Sequence, residues 1–361
     1  MREPPFVTVI MPIRNEAHVI ANTLGRVLAQ DYPADCIEIL IADGMSTDNT
    51  REIIARSASQ RPQYDIRVLD NPGRIVPTGI NIALQQAKGE IIIRVDGHTE
   101  IAPDYVRQCV ETLQRTGADN AGGRMNAVGG NLFGKVVALA TSTPFGIGGG
   151  RFHYSEEEEW VDTVYMGAWP RTVFDAIGFF DEELVRDQDD EFNYRLRAHG
   201  GKILLCPKIK SVYAVRSNPQ ALWRQYYQYG FWKVRVFQKH PRQMSLRHFV
   251  PPLFVVSLLF SFLFSLASFL FTTRWSPITE YWLLIPAIYI LANLSASLWT
   301  IAQKARPTPY TLILLPLVFA ILHISYGLGF LAGLLKFSNR WGDKRGKTPA
   351  FHETFKSASS L

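Results

Sequence analysis

Cysteine is scarce: Cys36, Cys109 and Cys206 are the only three in 361 residues, odd in number and far apart. That excludes a disulfide scaffold and a zinc site built on closely spaced thiolates, and it fits reduced thiols in a cytosolic compartment. No Gly-x-Gly-x-x-Gly follows the first strand-like run, and the Gly/Pro-rich stretch from Asn71 to Gly79 lacks the Gly-Lys-Ser/Thr of a phosphate loop, which argues against dinucleotide-type Rossmann and P-loop sites. Met1 to Pro5 holds no apolar signal core, so the front of the chain is expected to stay in the cytosol. Acid is missing from Phe192 to His248, where there are 12 Lys and Arg; from Met1 to Glu191 the balance is 17 Lys and Arg against 29 Asp and Glu. A basic block that leads directly into apolar sequence fits anionic lipid headgroups better than nucleic acid.

Charge of either sign then disappears in three later stretches. None occurs between His248 and Arg274, from Tyr281 to Gln303, or from Pro307 to Leu335, where His323 is the lone ionisable group. Each run exceeds the roughly 20 apolar residues that cross a bilayer. Trp275, Tyr281, Trp282, Trp299 and Tyr310 stand near the ends, as interface aromatics do. The basic residues Lys233 to Arg247 place the start of the first run in the cytosol. Three crossings would put the tail outside, yet the tail carries Lys336, Arg340, Lys344, Arg345, Lys347 and Lys356. A re-entrant segment would resolve this, and Gly327, Gly329 and Gly333 mark the third run as the irregular one.

The front of the chain alternates strand and helix. Phe6 to Met11 reads as a strand, and Glu16 to Gln30 as a helix with Val19, Ile20, Leu24, Val27 and Leu28 at helical spacing. Ile37 to Ala42 reads as a buried strand, followed by a helix to Ala58 with Ser46 and Asp48 as caps. Ile66 to Leu69, Thr78 to Lys88 and Ile91 to Val95 continue as strand, helix and strand. This rhythm predicts a doubly wound α/β domain with a mostly parallel sheet. Gly146 to Gly150 is the expected mobile loop.

In such a sheet, ligands bind beyond the carboxyl ends of the strands. Pro12, Asn15 and Glu16 follow the first strand, Asp43 and Gly44 the second, and Asp96, Gly97 and His98 the fourth. Carboxylates there can accept hydrogen bonds from a ribose or base, or hold a hard cation against a diphosphate. Singly, each is equally well a helix cap.

The runs Val7-Thr-Val-Ile-Met-Pro-Ile-Arg-Asn-Glu16 and Ile39-Leu-Ile-Ala-Asp-Gly-Met-Ser-Thr-Asp48 resemble the inverting family 2 glycosyltransferases of the GT-A fold. So does Lys88-Gly-Glu-Ile-Ile-Ile-Arg-Val-Asp96, and so does Gly178-Phe-Phe-Asp-Glu-Glu-Leu184 with Gln188-Asp-Asp-Glu-Phe-Asn-Tyr-Arg195. The resemblance covers residues 6 to 215, and the whole architecture is similar to bacterial exopolysaccharide glucosyltransferases of the succinoglycan type. It implies a nucleotide-sugar pocket lined by Pro12, Asn15, Glu16, Asp43 and Asp96. It also implies a divalent metal on Asp96 and His98, where His98 replaces the family's second Asp and so favours Mn²⁺ over Mg²⁺. Asp189 stands at the position of the general base. Gln188 replaces the family's Glu beside it, Asp187, Asp190 and Glu191 crowd it, and this crowding would raise its pKa. Gln188, Glu191, Gln228 and Trp232 are the acceptor-side candidates. Gln228-Tyr-Gly-Phe-Trp232 resembles the Gln-x-x-Arg-Trp motif of processive synthases, but Phe231 cannot bind diphosphate as Arg does, which argues against that class.

The expected division is a catalytic domain over 1–215, a basic aromatic juxtamembrane segment over 216–248, about three membrane segments over 249–335 and a basic tail over 336–361. The expected activity is transfer of glucose from a UDP-sugar to a polyprenyl-diphosphate-linked glycan, at a multi-pass site in the bacterial inner membrane with the catalytic domain in the cytosol. The expected partners are donor, lipid-linked acceptor and membrane lipids, with no nucleic acid. A polyprenyl-phosphate sugar synthase and a non-enzymatic membrane protein with a nucleotide-sensing domain stand as alternatives.

Overall fold

The computed structural model describes residues 3–272, 277–304 and 308–343. They form two compact units. The first gathers the described residues up to Asn126 and Gly150–Ala214; the second gathers Ala127–Gly149 and the described residues from Val215 on. Ala127–Gly149, which falls within the stretch expected as a single domain over 1–215, thus groups with the second unit.

The first unit begins with β1 (Val7–Ile13), α1 (Ile20–Val27), β2 (Ile37–Asp43), α2 (Thr50–Ser59), β3 (Asp65–Asp70), α3 (Val76–Gln86) and β4 (Ile91–Arg94). Next come β5 (Thr99–Ile101), α4 (Tyr105–Thr116) and β6 (Asn120–Val128), the last crossing into the second unit, where α5 (Leu132–Thr141) and α6 (Pro144–Ile147) lie. The chain returns through β7 (Glu159–Val161), β8 (Tyr165–Pro170), α7 (Thr172–Ile177), α8 (Gln188–Ala198) and β9 (Ile203–Ala214). Part of the predicted glycine loop is thus helical, since Gly146 and Ile147 belong to α6.

The strands make one sheet in the order β3-β2-β1-β4-β8-β6-β9-β5, with β7 on β9. Pairing is parallel among β3, β2, β1 and β4, as the alternating rhythm requires, and antiparallel for β4 with β8, β8 with β6, and β5 and β7 with β9. Every residue of β1 and β2 is buried, because helices cover both faces. Val7, Val9 and Met11 face Ile20, Leu24, Val106 and Cys109, whereas Ile10 and Leu40 face Ile80, Phe174, Phe180 and Phe192. Glu38 lies buried within β2 and is fully bonded, accepting from Thr8 Oγ1 at 2.6 Å, Arg67 Nη2 at 2.5 Å and Lys88 N at 2.5 Å. A buried carboxylate is tolerable when donors surround it in this way.

The second unit continues with α9 (Pro219–Lys239), α10 (Leu246–Thr272), α11 (Pro277–Lys304) and α12 (Pro309–Lys336). Among the described residues, three stretches are long and apolar enough to cross a membrane: Leu246–Ala267, Leu283–Gln303 and Pro309–Lys336. Trp299 and Tyr310 are exposed; Trp275, the side chains of Tyr281 and Trp282, and the tail from Lys344 on lie outside the described residues. The third run is one continuous helix, so its glycines do not break it. They bring backbones together instead. A Cβ on Gly329 would sit 2.0 Å from the Tyr227 carbonyl oxygen, one on Gly333 2.5 Å from that of Phe231, and one on Gly230 2.0 Å from that of Tyr326. Small residues at such a seam let helices approach closely. The basic block is also not all surface: Lys233, Arg235 and Lys239 are buried, and Arg235 Nη1 donates to the Asp343 carbonyl at 3.0 Å.

Gly329→Ala is expected to loosen this seam, at a cost of about 1–3 kcal/mol. Thermal unfolding of the detergent-solubilised protein should show a lowered midpoint. Gly25→Ala, where an added Cβ meets nothing within 4 Å, should leave the midpoint unchanged or raise it. Equal midpoints for Gly329→Ala and the native protein would remove the close-packing role.

Candidate active site

The carboxyl ends of β1, β2 and β4 lie side by side: Ile13 pairs with Asp43, and Ile10 with Arg94. Three loops leave these ends and are laced together. Asn15 adopts φ 53°, a conformation that Asn reaches more readily than most residues. Its Oδ1 accepts from Thr47 N at 2.8 Å, and its own N–H donates to Ser46 Oγ at 2.8 Å. Glu16 N–H donates to Thr50 Oγ1 at 2.9 Å and Ala17 N–H to Asp48 Oδ2 at 3.2 Å. Asp48 also accepts from Thr50 N–H at 3.1 Å, at the start of α2. Pro12 is buried within β1.

Asp43 is fully buried. It accepts from Arg51 Nε at 2.5 Å and from Ser46 N–H at 3.1 Å, while Arg51 reaches on to Asp70 at 2.5 Å. Its carboxylate thus sets the course of the loop from Gly44 to Arg51. On the β4 side, His98 Nδ1 lies 3.1 Å from Glu16 Oε1, which joins the first loop to the third. Gly97 permits this: a Cβ there would meet Ile13 Cγ2 at 2.8 Å.

The sequence reading missed Arg94. Its side chain is 5% exposed, its Nε donates to Asp96 Oδ1 at 2.7 Å, and its Nη1 donates to Asp189 Oδ1. One guanidinium therefore joins the Asp after β4 to the Asp proposed as base. The signal was present: a lone Arg in Ile91-Ile-Ile-Arg-Val95 stands two residues before Asp96, and alternate positions along an extended segment share a side. Burial opposes the Arg94 charge, but Asp189 and Asp96 outweigh it and hold the guanidinium above its usual range.

Asp189 sits in the first turn of α8, where a helix favours negative charge. Its side chain is 36% exposed, with protein packed around the remainder. That desolvation is the main influence and pushes its carboxyl up; Arg94 pulls it down, and Asp96 and Asp190 push it up again. Gln188 is buried, with Nε2 3.5 Å from Asp189 Oδ2. The Gly-Phe-Phe segment anchors this helix start. Phe180 stacks on Phe192 at 4.3 Å, and Asn81 both accepts from Phe180 N–H and donates to its carbonyl, each at 2.9 Å. Glu191 is 1% exposed and binds Arg195 Nε at 2.7 Å, while Arg195 donates to the carbonyls of Ile177 and Phe179. Glu191 thus serves to lock α8 to that segment.

Gln228 and Trp232 lie on α9 in the second unit, and Trp232 packs against Phe231 and Phe337. The acidic run Glu156 to Glu159 makes surface ion pairs: Glu156 with Arg124, Glu158 with Arg115 and Glu159 with Arg151. Among the described residues, no three His, Cys, Asp or Glu side chains form a group that could hold a metal.

Residues 8–178 match the model of Glycosyl transferase family 2. Along 334 residues the chain is 29% identical to the succinoglycan biosynthesis protein ExoA of Rhizobium meliloti (strain 1021), covering 92% of this chain and 96% of that protein. Along 337 residues it is 28% identical to the dolichyl N-acetyl-α-D-glucosaminyl phosphate 3-β-D-2,3-diacetamido-2,3-dideoxy-β-D-glucuronosyltransferase of Methanococcus voltae, covering 92% and 98%. In three dimensions it resembles a mannosyltransferase from Pyrobaculum calidifontis, solved with GDP-Man and Mn²⁺, with a TM-score of 0.59, 20% identity and coverage of 92% and 88%. The fold is that of a GT-A enzyme, a mixed α/β sheet here followed by three apolar helices. Residues 8–178 thus form a Glycosyl transferase family 2 domain, and the chain is a glycosyltransferase.

Proposed function

We propose that this enzyme is an inverting glycosyltransferase that moves a sugar from a nucleoside-diphosphate donor to a hydroxyl of a lipid-linked glycan at a membrane surface. The observation that carries this reading is the Asp96–Arg94–Asp189 bridge, which sets the base beside the donor-side loops. Asp189 takes the proton as the acceptor oxygen attacks the anomeric carbon. The bond to the diphosphate breaks on the opposite face, which inverts the centre. Arg94 orients Asp189 and favours its ionised form. Pro12, Asn15, Glu16 and Asp43 shape the nucleoside pocket, with UDP-glucose the first donor to test.

Asp96 and His98 would hold a divalent cation, Mn²⁺ over Mg²⁺. No three His, Cys, Asp or Glu side chains group together among the described residues, so a cation held there would also draw on oxygens of the bound donor. The cation would screen the charge of the leaving diphosphate. The lipid-linked acceptor draws support from the three apolar helices and from the Methanococcus relative, which is named for a dolichyl-phosphate-linked sugar. The reading places the enzyme in the bacterial inner membrane as a multi-pass protein with its first unit in the cytosol.

Purified membranes given UDP-glucose and a lipid extract should release UDP and yield a polyprenyl-diphosphate-linked glycan one hexose longer, seen by mass spectrometry. A sugar found on bare polyprenyl phosphate would replace this acceptor, and UDP release independent of lipid would refute a lipid acceptor. In the same assay chelation should abolish transfer and Mn²⁺ should restore it better than Mg²⁺, with His98→Asp shifting the preference toward Mg²⁺. Full activity in excess chelator would remove the metal.

A further inference from the structure

Within the second unit, an open groove of about 530 Å³ is lined by Pro219, Gln220, Trp223, Arg224, Tyr227 and Ile321. Five of these come from α9, and the spacing of Gln220, Trp223, Arg224 and Tyr227 puts them along one side of that helix. Ile321 comes from α12. We propose that this groove binds the acceptor lipid, with its isoprenoid chain against Trp223 and Ile321 and its phosphate on Arg224. This inference rests on the lipid-linked acceptor reading above and names where that lipid is held.

Three observations point to an anionic lipid with an apolar chain. Trp223 is 38% exposed, a large apolar surface left open in a groove of ligand-binding size. Arg224 is exposed and has no ion pair among the described residues, and α9 contains no acid that could satisfy it. The far wall, Ile321, belongs to a helix long and apolar enough to cross a membrane, whose exposed residues lipid chains would cover. A free nucleotide sugar matches the Arg but not the apolar wall, and a neutral lipid matches the wall but not the Arg. An anionic headgroup joined to a hydrocarbon chain satisfies both, and the phosphate of the lipid-linked acceptor is such a group.

The test uses the full chain in phosphatidylcholine nanodiscs with undecaprenyl phosphate carrying a diazirine. Photolabelling should fall on the peptide holding Trp223 to Tyr227. Unlabelled undecaprenyl phosphate should compete, and equal phosphatidylglycerol should not. Trp223→Ala and Arg224→Glu should each weaken labelling roughly tenfold, with Arg224→Lys close to native. Both side chains are exposed, and unchanged thermal midpoints would show that the variants fold. Labelling elsewhere, unchanged labelling in both variants, or equal competition by phosphatidylglycerol would overturn the groove. Specific groove labelling without any transfer to a lipid-linked sugar would instead count against the proposed reaction; transfer by the native enzyme without groove labelling would count against the groove alone.

Discussion

Asp189→Asn should reduce sugar transfer by ~10²–10⁴-fold, the usual scale for a lost general base, while donor affinity changes little. Asparagine keeps the size of the side chain and can still accept from Arg94, but it cannot take the acceptor proton. The neighbours provide the control. Asp187 precedes α8 with φ 60°, and Asp190 acts on Asp189 mainly through its charge. Asp187→Asn and Asp190→Asn should therefore retain most activity. Asp43→Asn should act in the opposite sense to Asp189→Asn and weaken donor binding first, because Asp43 holds the loop from Gly44 to Arg51 through Ser46 and Arg51. Donor calorimetry and product formation on the same preparations separate the two effects. Normal turnover by the Asp189 variant, with either neighbour inactive, would move the base to that neighbour.

The second large effect is expected at Arg94. Removing its guanidinium leaves Asp96 and Asp189 facing each other without the cation between them. Breaking a buried pair costs about 3–5 kcal/mol; the exposure of Asp189 keeps the loss toward the lower end. The pH profile carries the sharper signature. A base at Asp189 works only when ionised, so transfer should rise with pH through its pKa, which burial raises from its ordinary value. Arg94 is the group that pulls this pKa down. In Arg94→Met the acid limb should therefore shift to higher pH, with transfer near neutrality down roughly 10²-fold or more. Arg94→Lys should recover part of the shift, because a single ammonium cannot span two carboxylates as a planar fork does. An unmoved acid limb in Arg94→Met would leave Arg94 a structural residue only.

Much of this architecture follows from local pattern. The apolar runs at Val7–Ile13, Ile37–Asp43 and Ile91–Arg94 became parallel strands because hydrophobic continuity bounded by polar residues is a short-range property. The three uncharged runs became long helices for the same reason of composition. The glycines of the third run were readable as glycines but not as a seam, because the backbone of α9 that Gly329 and Gly333 meet is about a hundred positions away in sequence.

The site divides along the same line. Asp43, Asp96 and Asp189 could be named from motif order, because each stands at a strand end or helix start that the chain itself defines. Three matters needed the tertiary structure: that Asp43 is sealed against Arg51, that Glu191 is taken up by Arg195, and that one arginine of β4 grips both Asp96 and Asp189. Arg94 and Asp189 are 95 positions apart, and their pairing depends on where the antiparallel half of the sheet and α7 leave the start of α8. A residue's type is a local fact, whereas its charge state and partner depend on which distant groups the fold brings within hydrogen-bond reach.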